Sequence, residues 1–501
     1  MKKNFTLLYL LLTFFAASSA ICGAYAQSAN PKREFRGAWL HVIGQSQWQD
    51  KTTEQAKAYI RDQFDKLQNA GCNVVIFQVR PTADAMYKSE LEPWTSWLTG
   101  KRGKAPSPMW DPMEYAIEEA HRRGMEFHAW LNPYRVTSTA KEVLPASHMS
   151  NKHPERFFRY NGQVLFDPAY QENRDFICEV IGDILDRYDV DGIHIDDYFY
   201  PYPVKGKPIP DDKSYARFGK GMNRGDWRRH NVDLLIEQIH TTIKDKKPWV
   251  RFGVSPFGIW RNKTSDRRGS ESSGLQNYDD LYADVLLWDR NGWVDYLVPQ
   301  LYWNLDTKAA PSRKLVQWWN DNVHNSDLYI GQDVQRTMSV PDPGNKDRNE
   351  LDTKVRMTRR LPNVKGNVWW HGYWVTGNYK GAADSLAMKY QSTIALPPAY
   401  GDTGKRPRGV TDLKIERDGK DTYLIWKAPR NGHTADERDV VKYVVYEFFP
   451  GETQDLDDPQ AIVAMTPMTR VKVDPERGLT FAITALDRMN RESEPIFIYN
   501  K

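Results

Sequence analysis

Two adjacent acids, Asp196 and Asp197, stand at the end of an apolar strand pattern in the segment Val190-Asp-Gly-Ile-His-Ile-Asp-Asp-Tyr-Phe-Tyr-Pro201. Two carboxyl groups in one site cannot both ionise freely, so one is pushed toward the protonated form and can serve as an acid. Cleaving a glycosidic bond needs an acid on the leaving oxygen and a group that stabilises the positive charge developing on the sugar. Asp196 is the first candidate, and its partner is either Asp197 or Asp84. Adjacent acids leave no room for the intervening water of an inverting enzyme. They suit a substrate-assisted route in which the sugar's N-acetyl oxygen attacks, Asp196 polarises the amide and Asp197 protonates the leaving group. Asp84 follows a strand two spacings away, roughly 10 Å at the backbone, which suits the wider separation of about 6.5–9.5 Å in inverting enzymes. A competing role for Asp197 is to cap the following loop or to bond Arg80. The aromatic residues Tyr198, Phe199 and Tyr200 point to a ligand with flat apolar faces, such as a sugar.

These acids must be positioned by strands. Side chains alternate along a strand, so His194 and Asp196 share one face and Ile193 and Ile195 the other. From Phe35 to about Tyr400 short apolar runs alternate with helical stretches, the signature of βα units. Eight strands are predicted: Phe35–Val42, Asn73–Val79, Glu126–Leu131, Gly192–Asp196, Arg251–Ser255, Tyr296–Leu301, Leu328–Gly331 and Asn367–His371. The clearest helices are Thr53–Ala70 and Asp111–Gly124, the latter with Asp111 as N-cap, Pro112 in the first turn and Gly124 as the stop. The expectation is an α/β fold, a (β/α)8 TIM-type barrel over residues 31–400 followed by a small all-β sandwich over 408–501. In such barrels chemistry sits at the C-terminal ends of the strands.

Each predicted strand end delivers polar or aromatic groups to that rim. They are Trp39 and His41; Gln78, Arg80 and Asp84; His128, Trp130, Asn132 and Tyr134; His194, Asp196 and Asp197; Ser255, Phe257 and Trp260; Gln300, Tyr302 and Trp303; Gln332 and Asp333; Trp370 and His371. Tyr302 and Asn132 are candidates to bond an acetamido group. Arg80 is a candidate to hold Asp84 or a lactyl carboxylate bidentately. Tyr134, His128, His194, Tyr198 and Gln300 complete the expected substrate-binding set. Trp94, Trp97, Trp260, Trp303 and Trp374 are candidate sugar platforms, against the alternative of core packing. His41, His128, His194 and His371 raise a metal-hydrolase reading, but strand one lacks the His-x-His pair of the commonest barrel metal site. No metal and no cofactor is expected.

Arg36-Gly-Ala-Trp39, Phe77-Gln-Val-Arg-Pro81 with Asp84-Ala-Met-Tyr87, and His128-Ala-Trp-Leu-Asn-Pro-Tyr-Arg135 form an ordered series. Asp191 to Pro201, Gly253-Val-Ser-Pro-Phe-Gly-Ile-Trp-Arg-Asn262 and Pro299-Gln-Leu-Tyr-Trp303 continue it. Together these six motifs resemble glycosyl-hydrolase-like family ten over residues 31–400. The resemblance implies a bacterial cell-envelope glycosidase acting on N-acetylated glycan, namely peptidoglycan strands lacking stem peptides. The Asp-Asp pair is similar to that of retaining N-acetylglucosaminidases of the O-GlcNAcase type, whereas a chitinase-type motif would place a Glu where Tyr198 stands. Two alternatives stay open: a non-catalytic glycan-binding barrel, and a glycosidase acting on a dietary or host polysaccharide.

The net charge of +4, two of it from Lys2 and Lys3, is too balanced to argue for a nucleic-acid partner. Residues 1–26 read as a secretory signal with Phe5–Ala17 as the apolar run and Ala24-Tyr25-Ala26 as the cleavage site, implying export to the periplasm or cell surface. Ile21 is bulkier than the residue that usually precedes a lipidated cysteine, so anchoring through Cys22 is disfavoured. No other run is long enough to span a bilayer. Cys72 and Cys178 fall in apolar patterns and are expected as buried free thiols. After a Pro- and Gly-rich linker, Thr411–Ile415, Tyr423–Trp426, Val441–Phe448, Arg470–Val473, Thr480–Ala485 and Ile496–Tyr499 read as short strands. They resemble a fibronectin type III domain, with Trp426 as its buried tryptophan and Phe481 where the family usually has tyrosine. Such a module implies a spacer or docking role rather than catalysis.

Overall fold

The computed structural model describes residues 30–501 except 147, 431, 433, 434, 475 and 477. The expected signal segment and Cys22 lie outside the described residues. Eight parallel strands close into a barrel: β1 (Phe35–Leu40), β2 (Val74–Arg80), β3 (Glu126–Leu131), β4 (Gly192–Ile195), β5 (Arg251–Val254), β6 (Tyr296–Leu297), β7 (Asp327–Asp333) and β8 (Val364–Trp370). Each pairs with its sequence neighbour, and β8 closes on β1. The expected strand to Leu301 stops at Leu297 because Pro299 has no N–H for the ladder. Gln300 then bridges Phe257 and Gly331, carrying the pairing to the rim.

Helices cover the outside. Thr53–Asn69 starts at a capping box in which the Thr52 side chain accepts from the Gln55 N–H. Pro112–Arg122 is capped by Asp111, whose carboxylate accepts from the N–H groups of Met113 and Glu114. Ile193 and Ile195 of β4 lie in the main core, while Trp39, Trp130, Tyr296 and Tyr329 fill the barrel interior. Two inward glycines make that filling possible. A Cβ on Gly192 would lie 2.6 Å from the His128 ring, and one on Gly253 would lie 1.8 Å from the Tyr296 ring. Large side chains on one strand thus occupy the space left by glycine on the next. Cys72 and Cys178 are free and buried.

Two hairpins escaped the sequence reading. Phe157–Tyr160 pairs with Gln163–Phe166 between β3 and β4, and Pro341–Asp342 with Asn345–Asn349 between β7 and β8. The first turns on Asn161-Gly162, both with positive φ, the signature of a two-residue hairpin turn.

Beyond the linker, β9 (Thr411–Asp418), β10 (Asp421–Lys427) and β13 (Arg470–Val473) form a three-stranded sheet in the order β9-β10-β13. A four-stranded sheet runs in the order β12-β11-β14-β15, from β11 (Val440–Phe448), β12 (Ile462–Thr466), β14 (Thr480–Asp487) and β15 (Ile496–Tyr499). β12 is a seventh strand beyond the six expected. Trp426 and Phe481 are buried. This unit docks on the N-terminal end of the barrel: Asn490 donates to Glu126 at 2.5 Å, Arg488 pairs with Asp189 at 2.6 Å, and Arg33 donates to the Asn490 carbonyl at 2.9 Å.

Candidate active site

At the opposite, C-terminal rim the strand ends enclose a cleft of about 500 Å³, within the range of small-ligand sites. Asp196 and Asp197 form its acidic wall, Trp39, Trp130, Trp370, Tyr302, Trp303 and Phe257 its aromatic walls. Tyr302 stacks on Trp370 with ring centres 6.0 Å apart, so the aromatic face is continuous across β6 and β8.

Asp196 is only 4% exposed. One carboxyl oxygen accepts from Trp130 Nε1 at 3.1 Å, the other from Asn132 Nδ2 at 3.1 Å. Burial pushes its pKa up to about 7; the Arg135 charge opposes this and the Asp197 charge adds to it. Asp197 accepts from the Tyr202 hydroxyl. Burial raises its pKa too, against the hydrogen bonds from Tyr202 and Gln300. Two neighbouring carboxyl groups, both withdrawn from water, thus face one cleft.

Beneath the acids runs a polar chain whose direction is fixed by one indole. Trp39 Nε1 can only donate, and it does so to His194 Nε2 at 3.2 Å. His194 is therefore an acceptor at Nε2 and a donor at Nδ1, toward the Tyr296 hydroxyl at 3.0 Å. Burial, with the nearby His128, holds its pKa well below the ordinary histidine value, so the ring is neutral. The Tyr296 proton then points to His128 Nδ1 at 2.7 Å, and His128 Nε2–H to Glu126 at 3.1 Å. His194 Nε2 also meets Ser255 Oγ at 3.0 Å, and Ser255 lines the cleft.

The expected residues divide clearly. Asp196, Asp197, Tyr198, Gln300, Tyr302 and Trp303 line the cleft. The Tyr302 hydroxyl has no protein partner among the described residues and is free for a ligand. His194 is floor, and His128 lies deeper in the barrel. Asn132 is not available to an acetamido group, because its Nδ2 holds Asp196 and its Oδ1 accepts from the Arg135 N–H at 2.8 Å. Arg80 does not hold Asp84: its guanidinium grips Glu92 at 2.7 and 2.6 Å. Nor does Asp197 bond Arg80. Asp84 is fully buried outside the cleft lining, paired with Arg102 at 3.2 Å and bonded by Thr82 at 3.1 Å. Burial pushes its pKa to about 6 against the Arg102 charge. Tyr134 is fully buried, and Trp260 stacks on Trp318 at 5.7 Å; neither lines the cleft. Of the expected platforms only Trp303 does. His41 and His371 pack together with ring centres 5.0 Å apart, and among the described residues no three His, Cys, Asp or Glu side chains gather as a metal site would. Tyr202 and Arg336 were missed. Tyr202 stands one residue beyond the segment whose aromatic run already pointed to the cleft; no sequence signal marks Arg336.

The sequence pattern of the family described as glycosyl hydrolase-like 10 matches residues 34–351. The chain is 35% identical over 505 aligned positions to the glycosyl hydrolase YngK of Bacillus subtilis (strain 168), covering 97% of this chain and 96% of that protein. It is 37% identical over 330 positions to the glycosyl hydrolase DigH of Escherichia coli (strain K12), covering 61% of this chain and 73% of that protein. Among solved structures, an endo-1,4-beta-mannanase from Rhizomucor miehei aligns at 13% identity and a TM-score of 0.44, over 72% of this chain and 99% of that one.

Proposed function

The chain belongs to the glycosyl hydrolase-like 10 family, and on that premise we propose that it is a glycosidase cleaving N-acetylated cell-wall glycan, the peptidoglycan strand stripped of its peptides. The observation that carries this reading is the buried Asp196–Asp197 pair facing an aromatic cleft. The raised pKa of Asp196 favours it as the acid and leaves Asp197 as its partner, the reverse of the division expected from sequence. The acetamido oxygen of the bound sugar attacks C1, and Asp197 accepts the amide N–H and orients that attack. The C1–O bond breaks as the Asp196 proton passes to the leaving oxygen. Water then opens the cyclic intermediate with Asp196 as base, which returns the proton and retains the anomeric configuration. The free Tyr302 hydroxyl faces the same space and is suited to the sugar.

The strand order of the C-terminal sheets supports a fibronectin type III-like sandwich, a docking or spacing module. Export to the periplasm or cell surface goes with the leader-like first residues. No helix among the described residues is long and apolar enough to cross a membrane.

Mass spectrometry of products from amidase-stripped glycan strands, run beside a panel of neutral polysaccharides, tests the reading. The expected result is fragments from stripped strands with new reducing ends of retained configuration. Cleavage confined to the panel would move the substrate elsewhere, and an inverted anomer would exclude the substrate-assisted route.

A further inference from the structure

A second cavity of about 400 Å³ adjoins the cleft, and Tyr198 and Tyr202 line both. Its far wall is the Phe157–Tyr160/Gln163–Phe166 hairpin. Arg135 enters from the end of β3, its backbone fixed by the same Asn132 amide that holds Asp196. Its guanidinium lies 3.9 Å from the centre of the Tyr198 ring, and among the described residues it has no ion-pair partner. The contrast with its neighbours is plain: Arg80 grips Glu92, and Arg102 grips Asp84 and Glu142. In the same cavity the Ser138 hydroxyl is buried with no protein partner among the described residues. A half-buried guanidinium without a carboxylate is a ready bidentate donor for an anion. It also offsets the two acids next door, which would otherwise repel an anionic ligand.

We propose that this cavity is a subsite for a carboxylate-bearing sugar of the glycan, with Arg135 gripping the carboxylate and Ser138 donating beside it. The proposal rests on the cell-wall glycan reading above. In a stripped strand the carboxylate is the lactyl ether acid; where a peptide is attached it is a neutral amide. The subsite therefore selects stripped strands over unstripped ones and over uncharged chitin-like chains.

The test is calorimetric binding to the full chain in an Asp196→Asn background, so that ligand is not consumed. The probes are a peptide-free muramic-acid tetrasaccharide, the same compound with its lactyl acids converted to methylamides, and a hyaluronan tetrasaccharide whose carboxylates sit on the ring. The acid form is expected to bind roughly 10- to 100-fold tighter than the methylamide, the worth of one charge-assisted contact. Arg135→Gln should collapse that difference at an unchanged melting temperature, and Arg135→Lys should retain part of it. Equal binding of acid and methylamide, or a preference that survives Arg135→Gln, overturns the subsite alone. Tightest binding of hyaluronan moves the carboxylate to a uronic acid and overturns the lactyl assignment. Failure of both cell-wall probes to bind removes the substrate reading itself.

Discussion

Asp196 is a carboxyl group that the fold makes costly to ionise. Its pKa near 7 lies well above the value of about 3.9 for an unfolded aspartate. As the acid it must be protonated, so kcat/KM should fall as pH rises through about 7, and Asp196→Asn should abolish that limb along with most of the rate. The same shift has a stability consequence. Between pH 4 and 7 the folded chain keeps a proton that the unfolded chain has released, so this stabilisation is fully present below about pH 4 and lost as pH rises through 7. The parent should therefore lose on the order of 4 kcal/mol of stability between pH 4 and pH 8 that Asp196→Asn does not lose, so the variant's melting temperature should vary less with pH over that range; thermal scans across pH measure it. The acid pair was legible in the sequence because its members are adjacent and end a strand pattern. Arg80, Asn132 and Trp260 were misread because their partners Glu92, Asp196 and Trp318 come from other segments, and a strand-end position does not say which neighbour captures the side chain.

Strands β3, β4 and β6 act together through Tyr296, whose hydroxyl joins His128 to His194. Tyr296→Phe would leave a buried acceptor and a buried donor unpaired and should cost roughly 1–3 kcal/mol in denaturant unfolding. Because the chain ends at Ser255 and Trp39 under the cleft, the same variant should lower kcat more than it raises KM. Gly253→Ala should be worse, about 3 kcal/mol or more in the same assay, since its methyl would overlap the Tyr296 ring. All eight barrel strands were legible from apolar runs between helical stretches. The Phe157–Phe166 hairpin was not, although Asn161-Gly162 announced its turn; its strands are four residues each, too short for a periodicity to stand out.

At the scale of the whole molecule the C-terminal sheets close the end of the barrel away from the cleft. Tyr400 of the linker donates to the Trp249 carbonyl at 2.5 Å, the Arg251 guanidinium lies 4.7 Å from its ring, and Asn490 completes the bonding of Glu126. Val444, Tyr446 and Leu486 bury an apolar face with Leu396 of the linker. A chain ending at Tyr400 would expose the barrel side of this interface and leave Glu126 short of a partner, so it should melt several degrees lower and show raised binding of a hydrophobic dye. Catalysis belongs to the other end of the barrel, where Asp196 and Asp197 line the cleft. The most direct measurement is the initial rate of new reducing ends released from amidase-stripped glycan strands by the parent chain and by Asp196→Asn. The parent should turn over and the variant should lose roughly 10³-fold or more in rate; near-normal turnover in the variant, or none in the parent, would rule out Asp196 as the acid of a cell-wall glycosidase.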